Sequence, residues 1–416
     1  MDDTQGTSGS FVSHLESAID GTRLEARRLH TMHNDRPLWV RYDLDTIRRT
    51  ADRDALVARK ATMWRYRELL PYEDKSQIVS LGETMTPLLR CDRLGSKMGL
   101  NNLFIKDESR LPTGSFKARG MAMAVTMAAS LGQKRLAAPT AGNAGGALTA
   151  YATRAGLESF VFMPADTPMV NRYEARLYGG RAFVLDGLIT DCGAIVQAGK
   201  KRMGWFDVST LKEPYRIEGK KTMGLELAEQ FDWKLPDAVF YPTGGGTGLI
   251  GMHKAFHELE ALGWLDSDTK PRLFACQSDG CAPIVHAFKA GERFATPPDH
   301  PHTRASGLRV PKAVGDFMIL DAVRESNGRA VAAEEQRINE WMNLACASEG
   351  VALCPETAIC IGALEHAVRH GTVDPDEQIV VFNTGAAQKY IEVIERDLPK
   401  LDVEHVDWDW IDSRSM

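Results

Sequence analysis

Four stretches bring chemically able side chains next to turn-forming glycines. In TGSFKARG (113–120), Lys117 stands where Thr113-Gly114 gives way to the helical run MAMAVTMAASLG. The start of a helix disfavours positive charge, so an amine there is either a solvated surface group or one kept ready to form an imine with a carbonyl. After the apolar run DAVFYP comes TGGGTGLIG, in which Gly244, Gly245, Gly246, Thr247 and Gly248 lead into a helix. Glycines admit a ligand close to the backbone, and the free N–H groups of a helix start take up an anion. A phosphate site is the functional reading; a tight turn without a ligand is the plain alternative. After RLAAP comes TAGNAGGA, where Asn143 can both donate and accept beside Thr140, Ala141 and Gly142. After QIVVFN comes Thr384, whose hydroxyl suits either a ring nitrogen or a helix cap.

Gly246 to Gly251 also spells G-x-G-x-x-G behind an apolar run, so a dinucleotide site is a rival. That motif places an acid about 20 residues on at a strand end, whereas Asp279 lies further downstream. A nucleoside-triphosphate loop lacks its Lys-Ser or Lys-Thr. Two glycine-rich loops and a lysine at a third helix start suit a cleft that holds two anionic groups around an amine.

The elements that must position these residues are legible as short apolar runs alternating with helical patterns. LFI (103–105), RLAAP (135–139), SFVFMP (159–164), RAFVLD (181–186), DAVFYP (237–242), RLFACQ (272–277) and QIVVFN (378–383) are candidate strands. Near-continuous apolarity is the mark of buried parallel strands, and their alternation with helices predicts an open α/β fold. Such sheets bind ligands beyond the carboxyl ends of their strands. In GLIGMHKAFHELEALG, Leu249, Met252, Phe256, Leu259 and Leu262 share one helix face, and the opposite face is expected to be solvated. Residues around 44–71 predict one helical segment. ERFATPPDHPHTRASG predicts a loop, and GLRVPKAVGD (307–316) a cleft-lining loop with Arg309 as a second anion contact or a surface residue.

Composition narrows the class. The 416 residues are 44% hydrophobic and 25% charged, enough for two or three domains with substantial cores. A net charge of −6, spread along the chain, excludes the basic footprint of a nucleic-acid binder. Seven cysteines without a CxxC pair argue against a disulfide framework. Neither a secretory signal nor a membrane span is expected, which places the protein in the cytoplasm.

Taken together, RPLWVRYDL (36–44), WRYRELLP (64–71), LGETMTPLLR (81–90), IKDESRLPTGSFKARG, PTAGNAGG, EPYRIEGKKT (213–222), YPTGGGTG and FNTG resemble the threonine synthase family of fold-type II pyridoxal-phosphate enzymes. The resemblance implies two open α/β domains with mostly parallel sheets, like the tryptophan synthase β fold, plus an N-terminal extension. The implied divisions are an extension over 1–78 (a degenerate zinc-ribbon-like segment without cysteine, then a helix), a lysine-bearing domain over 79–230, a glycine-loop domain over 231–400 and a tail over 401–416. It implies pyridoxal 5'-phosphate as cofactor, joined to Lys117 as an imine, with Gly244, Gly245, Gly246, Thr247 and Gly248 on its phosphate. Asn143 would face its ring hydroxyl and Thr384 its ring nitrogen. Thr140, Ala141, Gly142 and Asn143 would hold a substrate carboxylate and Arg216 a substrate phosphate, unless Arg216 is spent on an ion pair with Glu218. No metal is expected, and a homodimer is, since related enzymes are often dimers. The implied reaction turns O-phosphohomoserine and water into threonine and phosphate. Ala118, Ala144 and Ala386-Ala387-Gln388 depart from the family pattern, which keeps two alternatives open. One is β-elimination or β-replacement on a related amino acid, as in serine or threonine dehydratases or cysteate synthase. The other is a retired homologue that serves as a binding protein.

Overall fold

The computed structural model describes residues 9–394 and 400–413. Residues 1–8 of the expected extension, 395–399 of the expected glycine-loop domain and 414–416 of the expected tail lie outside that range. An N-terminal antiparallel sheet is built from β1 (Val12–Ser17), β2 (Arg23–Leu24) and β3 (Leu38–Tyr42). The chain then lays down β4 (Leu88–Arg90) and β5 (Asn102–Asp107). A second sheet follows, with β6 (Arg135–Pro139), β7 (Glu158–Pro164), β8 (Arg181–Leu185) and β9 (Phe206–Asp207). Last come β10 (Ala238–Pro242), β11 (Arg272–Ser278), β12 (Arg329–Ala333) and β13 (Gln378–Asn383).

The large sheet runs β12-β11-β10-β13-β5-β4 and is parallel except for β4; the smaller runs β8-β7-β6-β9 and is wholly parallel. The molecule is thus two open α/β sheets of the fold-type II arrangement, with added N-terminal elements. The chain leaves the large sheet after β5, completes the smaller sheet and returns at β10.

Why the strand sequences are continuously apolar follows from what each face meets. In β10, Val239 and Tyr241 enter one core while Ala238 and Phe240 enter another on the opposite face, and β13 splits Val380 and Phe382 from Ile379 and Val381 in the same way. Both faces are dry, so alternation with polar residues is absent.

Two expectations are corrected. The helical segment expected around 44–71 is a seven-residue helix, Leu44–Thr50, followed by 3-10 turns at Asp54–Ala58 and Met63–Leu69. Tertiary bonds override the local pattern there: Tyr66 takes a non-helical conformation and donates from its hydroxyl to Glu229, 2.6 Å away. The face of helix Thr247–Leu262 expected to be solvated is largely buried, because Lys254 and Glu258 join Glu218 and Lys221 in a closed ion network with contacts of 2.7–2.8 Å. Tyr42 of β3 donates to Glu218 at 2.7 Å, pinning the N-terminal sheet to that network.

Candidate active site

Loops from the carboxyl ends of both sheets converge on one cavity of about 440 Å³. The large sheet supplies the glycine loop after β10, Thr384 after β13 and, beyond β5, the loop that ends at Lys117; the smaller sheet supplies Thr140 to Asn143 after β6 and Ser209 to Lys212 after β9. β10 and β13 are hydrogen-bonded neighbours although far apart in sequence, so the cavity lies where the strand order turns back on itself, the place an open parallel sheet leaves for a ligand. Lys117, Thr140, Ala141, Gly142, Asn143, Arg216, Gly244 to Gly248 and Thr384 all line it.

Lys117 opens helix Lys117–Ser130. Thr113 and Gly114 before it both take left-handed backbone, with φ of 59° and 60°, a conformation rare for threonine. The turn is held from across the site. Phe116 N–H donates to the Thr384 carbonyl at 3.1 Å, Ala386 N–H to the Gly114 carbonyl at 2.9 Å, and Lys389 Nζ to the Thr113 carbonyl at 2.8 Å and to Glu174 at 2.6 Å. Nζ of Lys117 sits 3.8 Å from the centre of the Phe116 ring. Burial, reinforced by the positive charge of Arg216, lowers its pKa to about 7. An amine neutral near pH 7 is the nucleophilic form.

Behind it, helices Lys117–Ser130 and Tyr215–Gln230 cross at glycines. A Cβ on Gly219 would stand 2.1 Å from the Arg119 carbonyl oxygen, and one on Gly120 would stand 2.9 Å from the Lys220 side chain. Lys220 donates to the Phe116 carbonyl, and burial together with the charge of Lys117 holds its pKa well below the lysine range. Arg119, fully buried, forks to Glu108 and Glu226 with contacts of 2.6–2.9 Å, and Lys106 meets Glu226 at 2.8 Å. Two cations and two anions close that network in a dry interior.

The glycine loop is a cradle without side chains. A Cβ on Gly244 would lie 2.4 Å from the Gly307 carbonyl oxygen, on Gly245 2.7 Å from Thr210, on Gly246 2.2 Å from Ile319 and on Gly248 against the Tyr241 hydroxyl. Gly246 also needs its φ of 71° to turn into the helix. Only glycine fits these positions.

Around the cavity, buried polar atoms stand without a protein partner: Asn143 Oδ1, Arg216 Nε, Tyr241 Oη and Ser306 Oγ. Buried polar groups are satisfied almost everywhere in proteins, and these atoms, facing a cavity, are open to hydrogen bonding with a ligand. Asn143 is steadied by a 2.8 Å bond from Nδ2 to the Tyr390 hydroxyl. Among the described residues, the Thr384 hydroxyl meets the Cys354 thiol at 3.7 Å. Arg216 is not paired with Glu218, which belongs to Tyr42, Lys221 and Lys254; its guanidinium donates to the Val208 carbonyl at 2.8 Å, and burial depresses its pKa. Arg309 lines the cavity, but its guanidinium is held by both oxygens of Asp166 at 2.6 Å, so it bridges loops of the two sheets instead of standing free.

Glu356 and Tyr390 line the cavity and were not singled out in the sequence. Tyr390 lies two residues beyond Gln388. Glu356, which accepts from Gly307 N–H at 2.8 Å, sits in the first turn of a helix, where an acid also serves the helix dipole and gives no separate signal.

The family described as pyridoxal-phosphate dependent enzyme matches residues 79–385. The chain belongs to the fold-type II pyridoxal-phosphate-dependent enzymes. It is 34% identical over 353 residues to a threonine synthase of Methanocaldococcus jannaschii, spanning 85% of this chain and 86% of that one. It is also 34% identical over 347 residues to a threonine synthase of Methanosarcina acetivorans, spanning 83% and 84%. The structure of maize serine racemase superimposes with a TM-score of 0.63 at 21% identity, over 73% of this chain and 88% of that one, a likeness of fold. Pyridoxal phosphate is therefore the cofactor of this lyase-class enzyme, which performs elimination and addition chemistry on a small amino-acid substrate. The glycine cradle and the unpartnered polar atoms fit a phosphorylated, hydrogen-bonding aromatic group of that kind. No helix among the described residues is long and apolar enough to cross a membrane.

Proposed function

We propose that the protein is a threonine synthase or a close paralogue, converting O-phosphohomoserine and water to threonine and phosphate. The observation that carries this reading is Arg216: a buried guanidinium on the cavity wall, with Nε unpartnered and no carboxylate within ion-pair distance among the described residues. A buried guanidinium that gives one bond to a carbonyl and keeps its Nε unpartnered suits a phosphoryl group. The threonine synthase relatives support the same choice.

In this reading Lys117 carries the cofactor, the backbone of Gly244 to Gly248 holds its phosphate, Asn143 faces its ring hydroxyl and Thr384 its ring nitrogen. When bound, the cofactor supplies a conjugated ring that takes up the electron pair left at the α-carbon when a proton departs. The chain does the rest. Thr140 to Asn143 orient the substrate carboxylate through the loop after β6. The Lys117 amine, neutral near pH 7, takes the α-proton and then a β-proton as the Cγ–O bond to phosphate breaks. Protons return to the γ-carbon and, after water adds its hydroxyl at the β-carbon, to the α-carbon, and the proton water gives up leaves with the phosphate. Arg216 holds the phosphoryl oxygens and balances their charge as they leave.

The test is incubation of the purified holoenzyme with O-phosphohomoserine, with assay of phosphate and threonine. Equimolar release of both is expected. R216A is expected to raise KM for this substrate and lower kcat/KM by about 100-fold, the loss of a buried charged pair at roughly 3 kcal/mol. Ammonia and a 2-oxo acid from serine or threonine, with no phosphate from O-phosphohomoserine, is the contrary result.

A further inference from the structure

On the far side of the glycine-loop helix from the cavity, three ligand-type side chains converge. His253 and His257 lie one turn apart on helix Thr247–Leu262, and Glu325 is the last residue of helix Asp316–Glu325. Nε2 of His253 is 3.0 Å from Nε2 of His257 and 3.2 Å from Oε2 of Glu325, and Nε2 of His257 is 4.0 Å from that same oxygen. The circle through three points so separated has a radius of about 2.0 Å, which is the Zn–N and Zn–O bond length. An ion at that centre lies in the plane of the three atoms with His257 Nε2 and Glu325 Oε2, 4.0 Å apart, nearly opposite each other, so a tetrahedral shell requires the exposed Glu325 carboxylate to swing toward it. On the other side of its ring, Nδ1 of His257 stands 3.6 Å from the Glu260 carboxylate, whose Oε2 is held by Lys270 Nζ at 2.7 Å. The three residues border a separate cavity of about 420 Å³ that leaves room for a water as fourth ligand.

We propose that His253, His257 and Glu325 form a binding site for a divalent late first-row transition metal ion, zinc foremost. Two imidazoles and one carboxylate favour that class over magnesium or calcium, which take all-oxygen shells. The ion staples the distal parts of two helices whose near ends meet at the active site, where a Cβ on Gly246 would run into Ile319. The staple therefore acts on the scaffold of the glycine loop, away from the reacting atoms.

The experiment uses tag-free holoenzyme, stripped with a chelator, dialysed and titrated with zinc chloride by calorimetry. One equivalent is expected to bind in the micromolar range or tighter. H257A and E325Q alter exposed positions and leave the fold standing, and each is expected to weaken binding at least about tenfold, since even outer-shell partners cost that much. C346S, at the one cysteine that is not buried, is expected to bind as the native chain does. Absence of micromolar binding by the native holoenzyme, unchanged affinity in H257A and E325Q, or loss of the site in C346S overturns the proposal.

Discussion

Lys117 is an amine whose surroundings push it toward its neutral form. With its pKa lowered to about 7 by burial and by Arg216, the apo-protein should capture pyridoxal phosphate faster as pH rises through about 7, where a surface lysine would rise only near 10. The growth of the visible imine band after mixing measures this, and R216A should shift the midpoint upward. K117A should leave no borohydride-reducible adduct at that position and reduce turnover by about 10³-fold or more, within the range that separates a positioned base from water. Peptide mass mapping of the reduced protein decides the first point. The loops that reach the cavity were legible because Thr140, Gly244 and Thr384 follow strands within two residues, whereas Lys117, ten residues beyond β5, was marked as an amine at a helix start. What the sequence concealed was pairing. Arg216 and Arg309 are both arginines near the cleft, yet among the described residues one meets no carboxylate within ion-pair distance and the other is taken by Asp166, a difference set by loops that meet only in three dimensions. His253 and His257 were separated from Glu325 for the same reason.

At the scale of elements, the close crossing of helices Lys117–Ser130 and Tyr215–Gln230 fixes where the lysine points. G219A should destabilise the protein by about 1–3 kcal/mol, because the added methyl meets backbone, which cannot rotate away. A denaturant midpoint measures the loss. E226A should be more severe, by about 3–5 kcal/mol, since it removes the carboxylate that Arg119 and Lys106, both fully buried, share. Most strands legible in the sequence have both faces buried; β8, RAFVL, was legible from its apolar run alone and is an exposed edge strand. β12, RAVAA, was not legible, because alanine carries little strand signal, and β4 and β9 are too short to show a period. The extension misled in the other direction: its arginine-rich helical pattern is broken by bonds to Glu229 that no local rule contains.

For the whole molecule, two buried carboxyls give stability an acid and a neutral slope of opposite sign. Glu226 has its pKa lowered to about 2: burial opposes this, but the charges of Arg119 and Lys106 outweigh it. The unfolded chain then binds more protons, and its contribution, full above pH 4.5, is lost as pH falls toward 2. Glu213 is raised to about 7 by burial. There the folded chain binds more protons, so its contribution is full below pH 4.5 and lost as pH rises through about 7. E213Q should remove that second slope, making the denaturant midpoint less dependent on pH between 4.5 and 7 while leaving the acid limb in place.

The order of strands in the large sheet has a bearing on biosynthesis. β5, which leads into the lysine turn, lies between β4 and β13, and the turn itself is tied to the backbone of Thr384 and Ala386. A nascent chain emerging from the ribosome has its lysine early but gains the inner neighbour of β5 only once residue 383 is made. Capture of pyridoxal phosphate at this turn is therefore expected only after residue 383 has been added, and a chain truncated before Gln378 should remain colourless.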